Sequence, residues 1–197
     1  MTFVLGLTGG IATGKSTIGK IFQDLGVAVV DGDTLARTVQ APGSPALSVL
    51  SEYFGKDILL ADGNLNREKL GAIVFSSKEK LEQLNELLEP FLREEFHQAI
   101  EFYKKQGEPL LVVDIPLLYE RNYLSFFDKI MVSYVPENIQ LSRLMKRNHL
   151  EEHQAQKRIK AQWSIEKKKE LADIVIDNSQ TIEETKRQIL EWYKNEV

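Results

Sequence analysis

The sequence predicts an α/β fold built on a parallel sheet of five strands, and three observations lead there. Five short runs are apolar at consecutive rather than alternating positions: "FVLGLT" (3–8), "VAVVD" (27–31), "LLVVDI" (110–115), "KIMVSYV" (129–135) and "DIVID" (173–177). Runs of that kind suit strands covered on both faces. Helical spacing of apolar residues recurs between them, and the first run passes through a glycine-rich turn into such a helical pattern, the opening of a strand–helix–strand unit.

The elements follow in order. After Gly9 and Gly10, residues Ile18, Ile21, Phe22 and Leu25 repeat at helical spacing, and Gly26 provides a stop. From 35 to 107 there is no convincing central strand over a stretch far longer than a connecting loop needs. It is therefore expected to be a mostly helical insert. Leu81, Leu84, Leu88, Phe91, Ala99 and Tyr103 mark a long amphipathic helix that Pro90 should kink or divide, and "APGSP" (41–45) and "DGN" (62–64) read as turns. A second excursion, 143–170, is poor in apolar residues and rich in Lys and Arg, Lys168 among them. The last helix has Thr181 as its cap and Ile182, Ile189 and Tyr193 as its buried stripe.

Composition narrows the function. With 197 residues, 43% hydrophobic and 27% charged, the chain can bury one substantial core. A formal net charge of -4 argues against coating nucleic acid or an anionic membrane. Cysteine is absent, which excludes disulfides, thiolate metal sites and a cysteine nucleophile. The first apolar run breaks at Gly9-Gly10, so neither a signal peptide nor a membrane span is expected. A cytoplasmic monomer that binds neither nucleic acid nor membrane is the expectation.

The motif with most chemical content is "GGIATGKST" (9–17). Gly9, Gly14, Lys15 and Ser16 complete G-x-x-x-x-G-K-[ST] between a strand and a helix, the context this phosphate-binding pattern requires. Converging backbone N–H groups and the positive end of the helix attract an anion. The candidate nucleotide-binding residues are Gly10, Ile11, Ala12, Thr13, Gly14, Lys15, Ser16 and Thr17, which the resemblance described below makes ATP-binding. Lys15 neutralises the β- and γ-phosphate oxygens, the Ser16 hydroxyl is a ligand for Mg²⁺, and Thr17 is placed for the α-phosphate. The motif gives a nucleoside triphosphate site without giving the reaction, because switches, motors and kinases share it.

Three carboxylates compete for the acceptor side. "VVDGD" (29–33) ends the second strand with Asp31 and Asp33, at the edge where ligands of open α/β sheets bind. Asp33 can take a proton from an acceptor hydroxyl, or cap a helix starting near Thr34; Asp31 suits structural support equally well. Asp114, ending "LLVVD", can hold Mg²⁺ through water or cap a loop. His149 and His153, four apart, could share a metal on one helix face, but no third ligand is in view and solvated surface is the expectation.

Beyond the loop, "VVDGDTLAR", "DGNLNREKL", "LLEPFL", "DIPLLYE", "RLMKRN", "RIKAQ" and "ADIVIDN" occur in that order. Together they resemble the dephospho-CoA kinase family over nearly the whole chain. The resemblance implies a P-loop core (1–34, 108–142 and 171–197) carrying the five-stranded parallel sheet, a helical insert for dephospho-CoA (35–107) and a lid over ATP (143–170). It implies transfer of the ATP γ-phosphoryl group to the ribose 3′-hydroxyl of dephospho-CoA. Asp33 matches the general base. Arg143 and Arg147 match the lid arginines, for which a solvated helix face is the alternative. Arg37, Arg67, Pro116 and Leu117 fall on the acceptor side. Asn178 matches a residue near adenine, and a turn-forming Asn explains it nearly as well.

The sequence departs from the family pattern in two places. The usual "GGIGSGKS" has Gly and Ser where this chain has Ala12 and Thr13; both are free positions of the motif, and anion binding should survive if their φ angles are negative. Glu89 stands where a His commonly precedes Pro. The imidazole that would contact the acceptor there is absent from this chain.

Overall fold

In the computed structural model, which describes residues 2–196, helices alternate with strands at both ends of the chain and run uninterrupted through its middle. The order is β1 (Phe3–Gly9), α1 (Lys15–Asp24), β2 (Ala28–Asp31), α2 (Gly32–Val39), α3 (Pro45–Phe54), α4 (Arg67–Val74) and α5 (Lys78–Gln106). Then come β3 (Leu110–Asp114), β4 (Lys129–Tyr134), α6 (Glu137–Asn148), α7 (Glu152–Lys160), α8 (Ile165–Glu170), β5 (Ile174–Asp177) and α9 (Ile182–Glu196). All five expected strands form, each within about a residue or two of its sequence-based bounds.

They pair in the order β2-β3-β1-β4-β5, every ladder parallel. The chain leaves central β1 toward β3 and β2, then returns to β4 and β5, so the order reverses at the carboxyl end of β1. Ligands of open α/β sheets bind at such reversals. Register aligns the strand ends there: Leu7 and Asp31 each face Asp114, and Gly9 faces Ser133.

The chain divides into two compact units. One runs through Asp31 and resumes at Ile100; the other is Gly32–Ala99. The first unit's core sets Leu5, Leu7, Val112 and Met131 of the sheet against Ile18 and Phe22 of α1 and Ile189 of α9. Trp192 closes it, edge-on to Phe22 at 6.0 Å. Helix α1 stops as anticipated: Gly26 has φ +80, its N–H donates to Gln23 and that of Val27 to Phe22. Thr181 caps α9 by accepting from Glu184 N–H, but Ile182 is 61% exposed and does not join the stripe. Thr185 takes its place on the buried face with Ile189.

The second unit packs Val39, Leu47, Leu50, Ile58, Leu70 and Leu88 into a separate core. Ser44 caps α3 with Pro45 at its first position, and Asp62 accepts from Asn64 N–H in the second expected turn. Pro90 does not divide α5, which continues through it as one helix. Loss of one internal hydrogen bond is offset by apolar residues on both sides, among them Leu84, Leu87, Leu88, Phe91 and Leu92, that pack on the same core. Glu89 pairs with Arg93 one turn later.

The basic stretch after β4 is less solvated than its composition suggests. Leu144, Ala155 and Ile159 form a small core with Leu141, Met145 and Ile11, and Lys168 is fully buried. His149 ends α6 at φ +52 whereas His153 lies in α7, so the two share no helix face. Both are exposed.

Candidate active site

The loop between β1 and α1 is shaped by its own short hydrogen bonds. Thr13, fully buried, donates from Oγ1 to Gly10 O at 2.9 Å, and Thr17 N–H donates to Gly14 O at 2.9 Å. Gly14 has φ +88, and a Cβ there would overlap the Asn178 amide, so glycine is required twice over. The N–H groups of Lys15 and Ser16, at the start of α1, lie beyond the reach of the helix's own carbonyls and are the donors an anion would meet.

Ala12 does not meet the condition of negative φ. It has φ +62, in the left-handed region, where a Cβ costs roughly 1–2 kcal/mol. That conformation explains why the related pattern carries glycine at this position.

Side chains from the strand ends brace the loop. The Thr13 carbonyl accepts from Ser133 Oγ at 2.9 Å and from Asn178 Nδ2 at 2.8 Å. Asn178 Oδ1 in turn accepts from Thr185 Oγ1 at 2.7 Å. Ile11 is held on both sides of its peptide unit, its N–H by Gln162 and its carbonyl by Gln140. None of these supports was singled out from the sequence except Asn178; an isolated Gln or Ser carries no pattern before the fold brings it to the loop.

Lys15 reaches across to an ion pair with Asp114 at the end of β3. Beside the loop lies a cavity of about 600 Å³ whose walls include Ala12, Gly14, Ser16, Thr17, Arg143, Arg147 and Asn178. Arg143 is no solvated face residue: its Nη1 donates to Asn178 O at 2.9 Å. Arg147 is exposed and donates to the Asn148 side chain, while still bordering the cavity. Pro116 O accepts from Thr8 Oγ1 at 3.2 Å and from Lys168 Nζ at 3.0 Å; Leu117 follows, its carbonyl accepting from Arg121 N–H.

Asp33, Arg37 and Arg67 belong to the second unit. Asp33 is exposed in the first turn of α2, which starts at Gly32, so it is not that helix's N-cap. It follows by two residues Asp31, whose register partner is Asp114. Arg37 is exposed on α2, and Arg67 opens α4 and donates to the Gln40 side chain at 3.0 Å.

Among the described residues no cluster of three or more His, Cys, Asp or Glu could hold a metal, and no helix is long and apolar enough to cross a membrane. The donors beside the loop, a serine hydroxyl and a carboxylate, are hard oxygen ligands. They fit Mg²⁺, which is usually held by one or two protein groups and the substrate's phosphates rather than a protein cage.

The family model described as dephospho-CoA kinase matches residues 3–184. A dephospho-CoA kinase from Enterococcus faecalis is 53% identical over 197 residues, covering 100% of this chain and 98% of the relative. The solved structure of dephospho-CoA kinase from Campylobacter jejuni superposes with a TM-score of 0.76 at 27% identity, over 99% of this chain and 97% of that one. A shikimate kinase from Bacteroides thetaiotaomicron, at 16% identity and a TM-score of 0.56 over 98% of each chain, shares the fold. With the phosphate loop in place and the family model spanning most of its length, this chain belongs to the dephospho-CoA kinase family.

Proposed function

We propose that this chain transfers the γ-phosphoryl group of ATP to the 3′-hydroxyl of the ribose of dephospho-CoA, giving CoA and ADP. The observation that carries the donor side of this reading is the Lys15–Asp114 pair at the mouth of the phosphate loop, beside a cavity bordered by two arginines, and membership of the family supports the acceptor. ATP phosphates would meet the N–H groups at the start of α1 and draw the Lys15 ammonium from Asp114 to the β- and γ-oxygens. Ser16 Oγ and the Asp114 carboxylate would hold Mg²⁺, which when bound neutralises charge on the transferred group. Arg143 and Arg147 would do the same from the stretch 143–170, acting as a lid that keeps water from competing as acceptor.

Asp33 is the group we assign to the acceptor hydroxyl. As the ribose oxygen bonds to phosphorus and the bond to the ADP oxygen breaks, the hydroxyl proton passes to this carboxylate. In this reading Arg37, Arg67, Pro116 and Leu117 line the acceptor's path, and 35–107 is its binding insert. Alignment and positive charge supply most of the rate.

The test is Asp33→Asn. It should lower kcat by about 100-fold or more, with ATP affinity by calorimetry changed by less than about threefold. Equal losses of rate and ATP affinity would contradict the assignment.

A further inference from the structure

Lys168 is a charged side chain that the proposed chemistry leaves unused, and it is fully buried in α8. Its ammonium has three N–H donors. They meet three acceptors: Gly9 O at 3.2 Å, Pro116 O at 3.0 Å and Glu120 Oε1 at 2.9 Å. With all three engaged, Lys168 has no donor left to turn toward a phosphate. Burial lowers its pKa, opposed by the hydrogen bond and charge of Glu120.

The acceptors are not scattered. Gly9 ends β1 where the phosphate loop begins, and Pro116 lies two residues beyond Asp114. Pro116 O is also tied to β1 by Thr8 Oγ1. Glu120 Oε1 accepts in addition from Trp163 N–H at 3.0 Å, which anchors the chain just before α8. One ammonium thus joins the entrance of the loop bearing Lys15, the segment leaving Asp114, and the helix that carries it.

We propose that Lys168 is a positioning residue for phosphoryl transfer, fixing the spacing between the backbone stretches that carry Lys15 and Asp114. The inference rests on the nucleotide-site reading above. A purely structural role is a poor account of the arrangement, because a buried ion pair often contributes no more stability than apolar residues of similar volume. Two of the three contacts, moreover, go to backbone carbonyls at the site.

The spacing matters most where charge develops, so its loss falls on kcat. ATP affinity is shared with the cavity beside Arg143 and Arg147, whose walls do not include Lys168.

Lys168→Met and the pair Lys168→Met with Glu120→Gln separate the two roles. The single variant should lower kcat about 10- to 100-fold with KM for ATP within about threefold, as expected for misplaced reacting groups. It should also lower Tm, since the Glu120 carboxylate, only 14% exposed, is left without its ammonium. In the double variant, neutralising Glu120 should recover part of the lost Tm, the Gly9 and Pro116 carbonyls still lacking the ammonium, while kcat stays at the level of the single variant. Recovery of kcat together with Tm, or a single variant with wild-type kcat, would overturn the inference. If the single variant does not fold, the double variant compared with Glu120→Gln alone carries the same test: low kcat at unchanged KM for ATP supports the role and unchanged kcat overturns it. Wild-type turnover is read first, so failure of the functional reading appears there rather than in the variants.

Discussion

The Asn178 side chain donates to the Thr13 carbonyl at 2.8 Å, so the last strand of the sheet holds the phosphate loop from behind. The same amide accepts from Thr185 Oγ1, and its backbone carbonyl accepts from Arg143. Asn178→Asp keeps the shape but replaces a donor with a carboxylate oxygen aimed at a carbonyl. We expect KM for ATP to rise about tenfold or more and Tm to fall, reflecting about 1–3 kcal/mol for a buried polar contact turned repulsive. Steady-state kinetics with thermal melting checks both, and an unchanged KM would remove Asn178 from the support of the loop.

Lys15 is poised between Asp114 and the place where phosphates would sit. Lys15→Ala should reduce kcat by about 10²–10³-fold, the usual scale for losing one charge-stabilising donor. Circular dichroism should be unchanged, because the ammonium lies outside the sheet's apolar core. Wild-type turnover at saturating Mg-ATP would exclude the loop from the mechanism.

Ala12 carries its Cβ at φ +62. Ala12→Gly relieves roughly 1–2 kcal/mol of backbone strain but returns about 0.5–1 kcal/mol through the freer unfolded chain. The net expectation is a gain of up to about 1.5 kcal/mol in urea unfolding, whereas Ala12→Val should lose stability, since branching at Cβ makes this region still less accessible. Equal stabilities for the three proteins would contradict the assigned conformation.

Tyr119 is buried, its hydroxyl has no hydrogen-bond partner among the described residues, and its ring stacks on Trp163. Burial, with the Asp173 carboxylate adding to it, pushes its pKa up to about 12 from an ordinary 10.0. A raised folded pKa means the contribution to stability is complete below the unfolded value and disappears as pH climbs through the folded one. Stability should therefore fall between about pH 10 and 12 more steeply in wild type than in Tyr119→Phe. Near neutral pH the two should agree within about 1 kcal/mol. Difference titration of tyrosinate absorbance checks the value, and a phenol titrating near 10 would contradict it.

Much of the fold could be read from local chemistry. The strands declared themselves because a doubly covered strand must be apolar on consecutive residues, and the loop because anion binding by backbone requires glycine at fixed spacing. What stayed hidden depends on contacts distant along the chain. Lys168 sits in a run of three lysines that reads as solvent-facing, and only the return of α8 past β1 and Pro116 buries it. Gln140 and Gln162 likewise acquire a purpose when Ile11 comes between them. Pro90 and Ile182 ran the other way: packing carried α5 through the first, and the end of α9 leaves the second exposed.

The most direct measurement is mass detection of the acceptor after incubating the purified chain with Mg-ATP and dephospho-CoA. The account predicts that dephospho-CoA gains one phosphoryl group, located at the ribose 3′ position by fragmentation, with ADP formed in equal amount. A folded protein that consumes ATP while leaving dephospho-CoA unchanged, or that phosphorylates it elsewhere, would contradict it.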